Sequence, residues 1–151
     1  MISSLDEVNP TLNMKHIPVL LDVSLEYLSL DKGGKFLDGT FGGGGHTKSL
    51  LDSSHNTFVI SIDKDPDAEL RANKLYKKYP DRFKFYKMDF SNIDSILESD
   101  FDGVLFDFGL SSFQLDDAQR GFSFRLDSFL DMRMDNGNGI TASEFLETAT
   151  E

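Results

Sequence analysis

The stretch Thr57-Phe58-Val59-Ile60-Ser61-Ile62-Asp63 is apolar almost without interruption and ends on an acid. A strand that alternates polar and apolar residues can lie on a surface. One that does not must be covered on both faces, as a central strand of a parallel sheet flanked by helices is. The chain around it alternates strand and helix in the way such a sheet needs.

Leu21, Leu25 and Leu28 are at helical spacing and predict a helix over roughly Leu20 to Leu30. Lys35 to Asp38 reads as a short strand running into Gly39-Thr40-Phe41-Gly42-Gly43-Gly44-Gly45, with a helix over His46 to Leu51. Asp65-Pro66 is a helix start, Asp as N-cap and Pro in the first turn, and that helix stops near Tyr79. Phe83 to Met88 alternates apolar residues with Lys and predicts a strand nearer an edge. Ser91 is a candidate cap for a short helix through Leu97, and Gly103 to Asp107 is a fourth strand. Between Gly109 and Gly139 no period emerges. Thr141-Ala142-Ser143-Glu144 then has the capping-box form. The expected fold is therefore α/β, a Rossmann-like sheet of about four parallel strands, where five or six would be usual.

The 151 residues leave room for one hydrophobic core. There is no Cys, which excludes disulfides, thiolate metal sites and a cysteine nucleophile and is compatible with a cytoplasmic location. No apolar run from Met1 to Lys15 is long enough for a signal peptide or a membrane span, and residues 1–15 read as a flexible arm. The 15 Lys+Arg stand against 26 Asp+Glu, a net charge of −11. Nucleic-acid binding draws much of its affinity from phosphate neutralisation, so any main RNA-gripping surface is expected elsewhere. Nothing in the sequence speaks to oligomeric state.

Chemistry gathers at the strand ends. The glycines at 39 and 42–45 let a strand-to-helix turn approach a ligand, and the helix behind them supplies unpaired N–H groups. Asp63 follows about 20 residues later at the end of the next strand, where an acid can accept ribose hydroxyl protons. Together these features point to an adenosine-containing cofactor. Asp38, just before the glycines, is expected to place negative charge near the ligand, which suits a cationic sulfonium better than a pyrophosphate. The alternative is a P-loop: Gly42 to Ser49 is one substitution from G-x-x-x-x-G-K-[ST], with Thr47 in place of the last glycine and Lys48 as the phosphate lysine.

Asp107 is expected at the same mouth as Asp38 and Asp63, because ligands bind beyond the carboxyl ends of such strands. Taken alone, the segment Asp107 to Asp116 reads as a solvated loop. Arg120, Arg125 and Arg133, with Phe122 and Phe124, could contact RNA, but interspersed acids make a self-paired surface loop an equal alternative. A calcium loop ending at Glu144 fails, since it would put Arg133 first and Asn138 at the glycine position. His46 directly follows the glycines and is a ligand-site candidate. His16 reads as structural and His55 as a surface residue.

Several runs, in order, resemble one family: His16-Ile17-Pro18-Val19-Leu20-Leu21, Asp38-Gly39-Thr40-Phe41-Gly42 with Gly44-Gly45-His46, and Ile62-Asp63-Lys64-Asp65-Pro66. Phe90-Ser91-Asn92, Asp107 with Ser111-Ser112 and Gln114-Leu115-Asp116, Arg120 to Arg125, and Leu130 to Asp135 continue the match. The family is the bacterial 16S ribosomal RNA cytosine-N4 methyltransferases, known as MraW or RsmH. The resemblance implies S-adenosylmethionine as cofactor, bound by Gly44, Gly45, His46, Asp63, Phe90, Asp107 and Gln114. It also implies ribosomal RNA or the small ribosomal subunit as partner. Asp107, or a backbone carbonyl just after it, is the expected proton acceptor, with no metal required. Gly43, Phe108 and Phe113 depart from the family's usual arginine, leucine and proline. Family members are longer, so residues 16–140 are expected to be the first half of a cofactor domain. Residues 141–151 are expected to open a helix toward a missing substrate domain. The remaining alternatives are a P-loop-type nucleotide-binding protein and a cofactor-binding fragment without activity.

Overall fold

The structure, a computed structural model, describes residues 18–150. The expected arm at 1–15, and His16 and Ile17, lie outside the described residues. Four strands form one parallel sheet: β1 (Gly34–Asp38), β2 (Thr57–Asp63), β3 (Phe83–Lys87) and β4 (Gly103–Leu105), in the order β3-β2-β1-β4. β2 is a central strand, and Val59, Ile60, Ser61 and Ile62 within it are fully buried, as its composition demands. β3 is at an edge, with Phe83 turned inward and its lysines outward.

Five α-helices accompany the sheet among the described residues: α1 (Leu21–Tyr27), α2 (Gly45–Ser53), α3 (Pro66–Lys78), α4 (Ser112–Asp116) and α5 (Ala142–Thr148). Leu50 and Leu51 of α2, with Ala68 and Ala72 of α3, close over Phe36, Phe41, Val59 and Phe83 to make the core. α3 starts as its sequence dictates, with the Asp65 carboxylate accepting the Asp67 N–H and Pro66 at the first position. It stops at Tyr79, before Pro80.

Several boundaries differ from the sequence expectation. The first helix is shorter, because Leu20 and Ser29 both take left-handed backbone conformations (φ 51 and 53), and a 3₁₀ turn over Leu30–Lys32 replaces its end. β4 ends at Leu105 rather than Asp107. The Gly39 N–H takes the Leu105 carbonyl, and the Asp107 N–H leaves the ladder to bond the Thr40 hydroxyl at 2.6 Å. The turn after β3 is a 3₁₀ segment, Phe90–Ser95, and its cap is Asp89 rather than Ser91. The Asp89 carboxylate accepts the Ser91 N–H. The stretch after Gly109 contains α4, opened by a reciprocal Ser111–Gln114 capping box, and a 3₁₀ turn at Ala118–Arg120.

The capping box at Thr141–Glu144 opens α5 as expected. Its first turn is tied down by the Ala142 and Ser143 N–H groups, which donate to the Asp131 and Leu130 carbonyls. No residue of α5 itself is buried, and Phe145 and Leu146 are exposed. Local opening free energy follows buried apolar contact. In hydrogen exchange, the β2 amides should therefore be protected at least about a hundredfold more than those of Phe145–Thr148. Equal protection would mean that α5 is covered in solution.

Candidate functional site

A cleft of about 260 Å³ opens at the carboxyl ends of the strands. Its walls come from the segments that follow all four: the glycine loop after β1, Asp63 to Asp65 after β2, Met88 and Phe90 after β3, and Asp107 to Ser111 after β4. β1 lies between β2 and β4, so the order in which successive strands are laid down reverses here, which is where a doubly wound sheet leaves room for a ligand.

The glycine loop needs its glycines at two positions. Gly42 and Gly44 have φ of 51 and 78, and a Cβ on Gly44 would stand 2.6 Å from the Phe41 ring. Gly44 is the N-cap of α2 and has no side chain to satisfy the first N–H groups of that helix. Asp63, half-buried at the end of β2, faces this loop. Its Oδ2 accepts the Gly42 N–H at 2.7 Å and its Oδ1 accepts the Asp65 N–H at 3.0 Å. Each oxygen keeps a lone pair for a ligand.

His46 is buried on the cleft wall. A carbonyl can only accept, so Nε2 carries the proton in its 3.2 Å bond to the Val19 carbonyl, and Nδ1 faces Asp107 Oδ2 at 3.9 Å. Asp107 is exposed, with its backbone fixed by the Thr40 hydroxyl. The Phe90 ring stands at the mouth, 42% exposed. Gln114 reaches the cleft, but both ends of its amide are engaged. Nε2 donates to Asp65 Oδ2 at 2.7 Å and Oε1 accepts the Ser111 N–H at 3.0 Å. The structure thus brings Gly45, His46, Asp63, Phe90, Asp107 and Gln114 together along one cleft, with Gly44 just behind it as the helix cap.

Asp38 is not among them, contrary to the sequence expectation. It is fully buried, accepts from the Thr47 hydroxyl at 2.6 Å and the Thr40 N–H at 3.1 Å, and does not line the cleft. Burial pushes its carboxyl up, against the pull of those hydrogen bonds. Its role is to brace the turn. The P-loop reading loses its footing for the same local reasons. Lys48 is turned away to Asp52, and Thr47, where a P-loop has its last glycine, is a buried side chain bonded to Asp38 and Ser61.

Two of the three arginines expected near RNA are also engaged elsewhere. Arg120 is 3% exposed, and its Nη1 donates to both oxygens of Asp65 and to Asp67. Its Nη2 donates to the carbonyls of Arg133 and Met134. Arg133 pairs with Asp131 at 2.7 Å, holding that carboxyl down to about 2, and with the Gly139 carbonyl. The self-paired alternative describes both; Arg125 remains exposed. Sequence reasoning gave Asp65 no role beyond helix cap and motif member, and gave Thr40 none beyond its place in the glycine-rich run. The Ser111-x-x-Gln114 spacing was a legible signal for α4.

Residues 13–151 match the MraW methylase family. The chain belongs to that family. Within the MraW methylases it is similar to the Ribosomal RNA small subunit methyltransferase H of Rickettsia massiliae (strain Mtu5), with 45% identity over 137 residues. That match covers 90% of this chain and 44% of the relative, so the chain spans less than half the relative's length. The fold is similar to an rRNA methylase from Streptococcus thermophilus (TM-score 0.51, 18% identity, covering 62% of this chain and 57% of that one). It is also similar to coclaurine N-methyltransferase bound to N-methylheliamine and SAH (TM-score 0.50, 16% identity, covering 58% and 25%). At these identities the likeness concerns the fold, a Rossmann-like methyltransferase sheet.

In this MraW methylase chain the Asp65–Arg120 pair carries a direct test. Removing one partner of a buried ion pair strands the other, at about 3–5 kcal/mol. Arg120→Ala should lower the unfolding free energy by about that much in urea titrations, and Asp65→Asn combined with Arg120→Met should recover part of it. A loss under about 1 kcal/mol for Arg120→Ala would show that the pair is solvated.

Proposed function

We propose that this chain carries the S-adenosylmethionine site of a methyltransferase that acts on the exocyclic N4 of a cytosine in small-subunit ribosomal RNA. The observation that carries this reading is Asp63, a carboxylate fixed by two amides, one of them in the glycine loop, lining a cleft at the switch point of the sheet. The relative's name supplies the RNA, and SAH in the coclaurine enzyme supports the cofactor class. A ribosomal substrate would put the protein in the cytoplasm. No helix among the described residues is long and apolar enough to cross a membrane.

The lining fits such a cofactor. Asp63 offers lone pairs to a ribose diol, Phe90 an apolar ring to adenine, and the Gly44-Gly45-His46 turn brings backbone close without Cβ interference. Gln114 positions the wall, since its amide is already bonded to Asp65 and Ser111. When bound, S-adenosylmethionine supplies an electrophilic methyl group. Cytosine N4 is a weak nucleophile because its lone pair is delocalised into the ring, so the chain's main task is alignment. Asp107 is the catalytic residue. Exposed in the cleft and anchored through its own N–H, it would take the N4 proton and leave the lone pair on nitrogen. The base must be unstacked from its RNA to reach it.

The acidic balance of the chain opposes RNA, and with Arg120 and Arg133 engaged internally, tight RNA binding needs basic surface beyond these residues. Residues 1–151 alone should therefore bind the cofactor yet transfer radiolabelled methyl groups to small-subunit RNA poorly. Robust N4-methylcytosine formation would refute that division of labour.

Calorimetry tests the cofactor. A hydrogen bond to a charged acceptor is worth about 1.5–3 kcal/mol. Asp63→Ala should therefore weaken S-adenosylmethionine binding about tenfold or more, with ATP and Mg²⁺ giving no heat. Unchanged affinity in the folded variant would rule out the ribose role. ATP binding that disappears in Lys48→Ala would restore the P-loop.

A further inference from the structure

Three phenylalanine rings stand together at the mouth of the cleft. Phe106 and Phe108 lie nearly parallel, 12° apart with centroids separated by 5.3 Å. Phe90 meets both edge-on, at 5.9 and 5.5 Å. Phe106 sits over Gly39, where a Cβ would come within 2.0 Å of its ring, so the turn after β1 is shaped to receive it. Phe108 is the outermost of the three and remains 69% exposed although two rings hold it.

What surrounds Phe108 limits what it could be for. Its chain neighbour Asp107 is anchored by the 2.6 Å bond from its N–H to the Thr40 hydroxyl, which fixes where ring and carboxylate leave the backbone. Both residues line the cleft. On the other side Gly109, at φ 150, has nothing within 4 Å of where a Cβ would stand, so the backbone that follows the ring is uncrowded. A flat apolar face next to a carboxylate suits a ligand that is itself flat, carries a π system, and has an N–H donor on its edge. A nucleobase with an exocyclic amine meets all three conditions.

We propose that Phe108 is the stacking face for the base that receives the methyl group, setting its plane so that the exocyclic amine lies against Asp107. This rests on the methyl-transfer reading above and assigns the two aromatic walls different partners, Phe90 the cofactor and Phe108 the substrate base. Phe106 acts through Phe108 as a positioning residue that keeps the ring upright.

The sequence contains no tryptophan, so Phe108→Trp gives the full chain a sole indole at this point. Cytidine should quench its fluorescence saturably, with and without saturating S-adenosylhomocysteine, and ribose should not. By nuclear magnetic resonance titration, Phe108→Ala should weaken cytidine binding about five- to a hundredfold, and Phe108→Leu should weaken it less. S-adenosylhomocysteine affinity should change less than about threefold, within the cost of a rearranged contact. Unchanged cytidine affinity in Phe108→Ala overturns the proposal. So does an equal loss of S-adenosylhomocysteine, which would make the ring an adenine contact. A loss of S-adenosylmethionine alone would make it a cation–π partner of the sulfonium and overturns it as well. Cytidine quenching in a chain that binds neither cofactor form supports the stacking face while sinking the cofactor reading.

Discussion

The carboxylate of Asp65, 1% exposed, receives hydrogen bonds from three places: the Asp67 N–H in the first turn of α3, the Gln114 amide in α4, and the Arg120 guanidinium. Arg120 in turn gathers the carbonyls of Arg133 and Met134. The irregular stretch after β4 therefore has a fixed attachment to the sheet although it contributes little to the hydrophobic core. A buried charge pair is costly to assemble, and here the cost is offset by the completeness of the hydrogen bonding around the carboxylate. One wall of the cleft, including Gln114 and Met134, stands where it does because of this single acid.

The same attachment explains why the cleft exists in a chain whose sheet has four strands. The segments after β1 and β3 begin with bonds that continue the ladder, from the Phe41 N–H to the Ile62 carbonyl and from the Met88 N–H to the Asp63 carbonyl. The segment after β4 has no later strand to return to among the described residues and is held by other anchors. The Thr40 hydroxyl holds its beginning through the Asp107 N–H, and Arg120 holds its middle. Between those two points lie Phe108, Gly109, Leu110, Ser111 and Gln114, which line the cleft.

Much of the fold was legible because its signals are local. Apolar runs bounded by Gly and Pro marked the strands, Asp65-Pro66 marked α3, and Thr141 with Glu144 marked α5. The acids Asp63 and Asp107 were found by the rule that strand ends face the ligand. Asp38 obeyed the same rule in sequence and breaks it in space. In a strand covered on both faces, period-2 alternation cannot tell which side an end residue will take, and Asp38 turned toward Thr47 and Ser61. The bonds of Asp65 to Gln114 and Arg120 were illegible for a different reason: these partners lie 49 and 55 residues from it in the chain, and no local pattern records such a pairing. Arg133 and Asp131, two residues apart, left a trace, and the self-paired alternative was visible from it.

The two amides that hold Asp63 also have a thermodynamic meaning. A free aspartate would surrender rotamer freedom on meeting a diol, at a cost charged against affinity. Asp63 has surrendered it during folding, to the Gly42 and Asp65 N–H groups. Because one of those groups belongs to the glycine loop and the other to the cap of α3, the acid and both backbone segments form one stiff unit. A ligand settling against any part of it meets a surface whose shape is already decided.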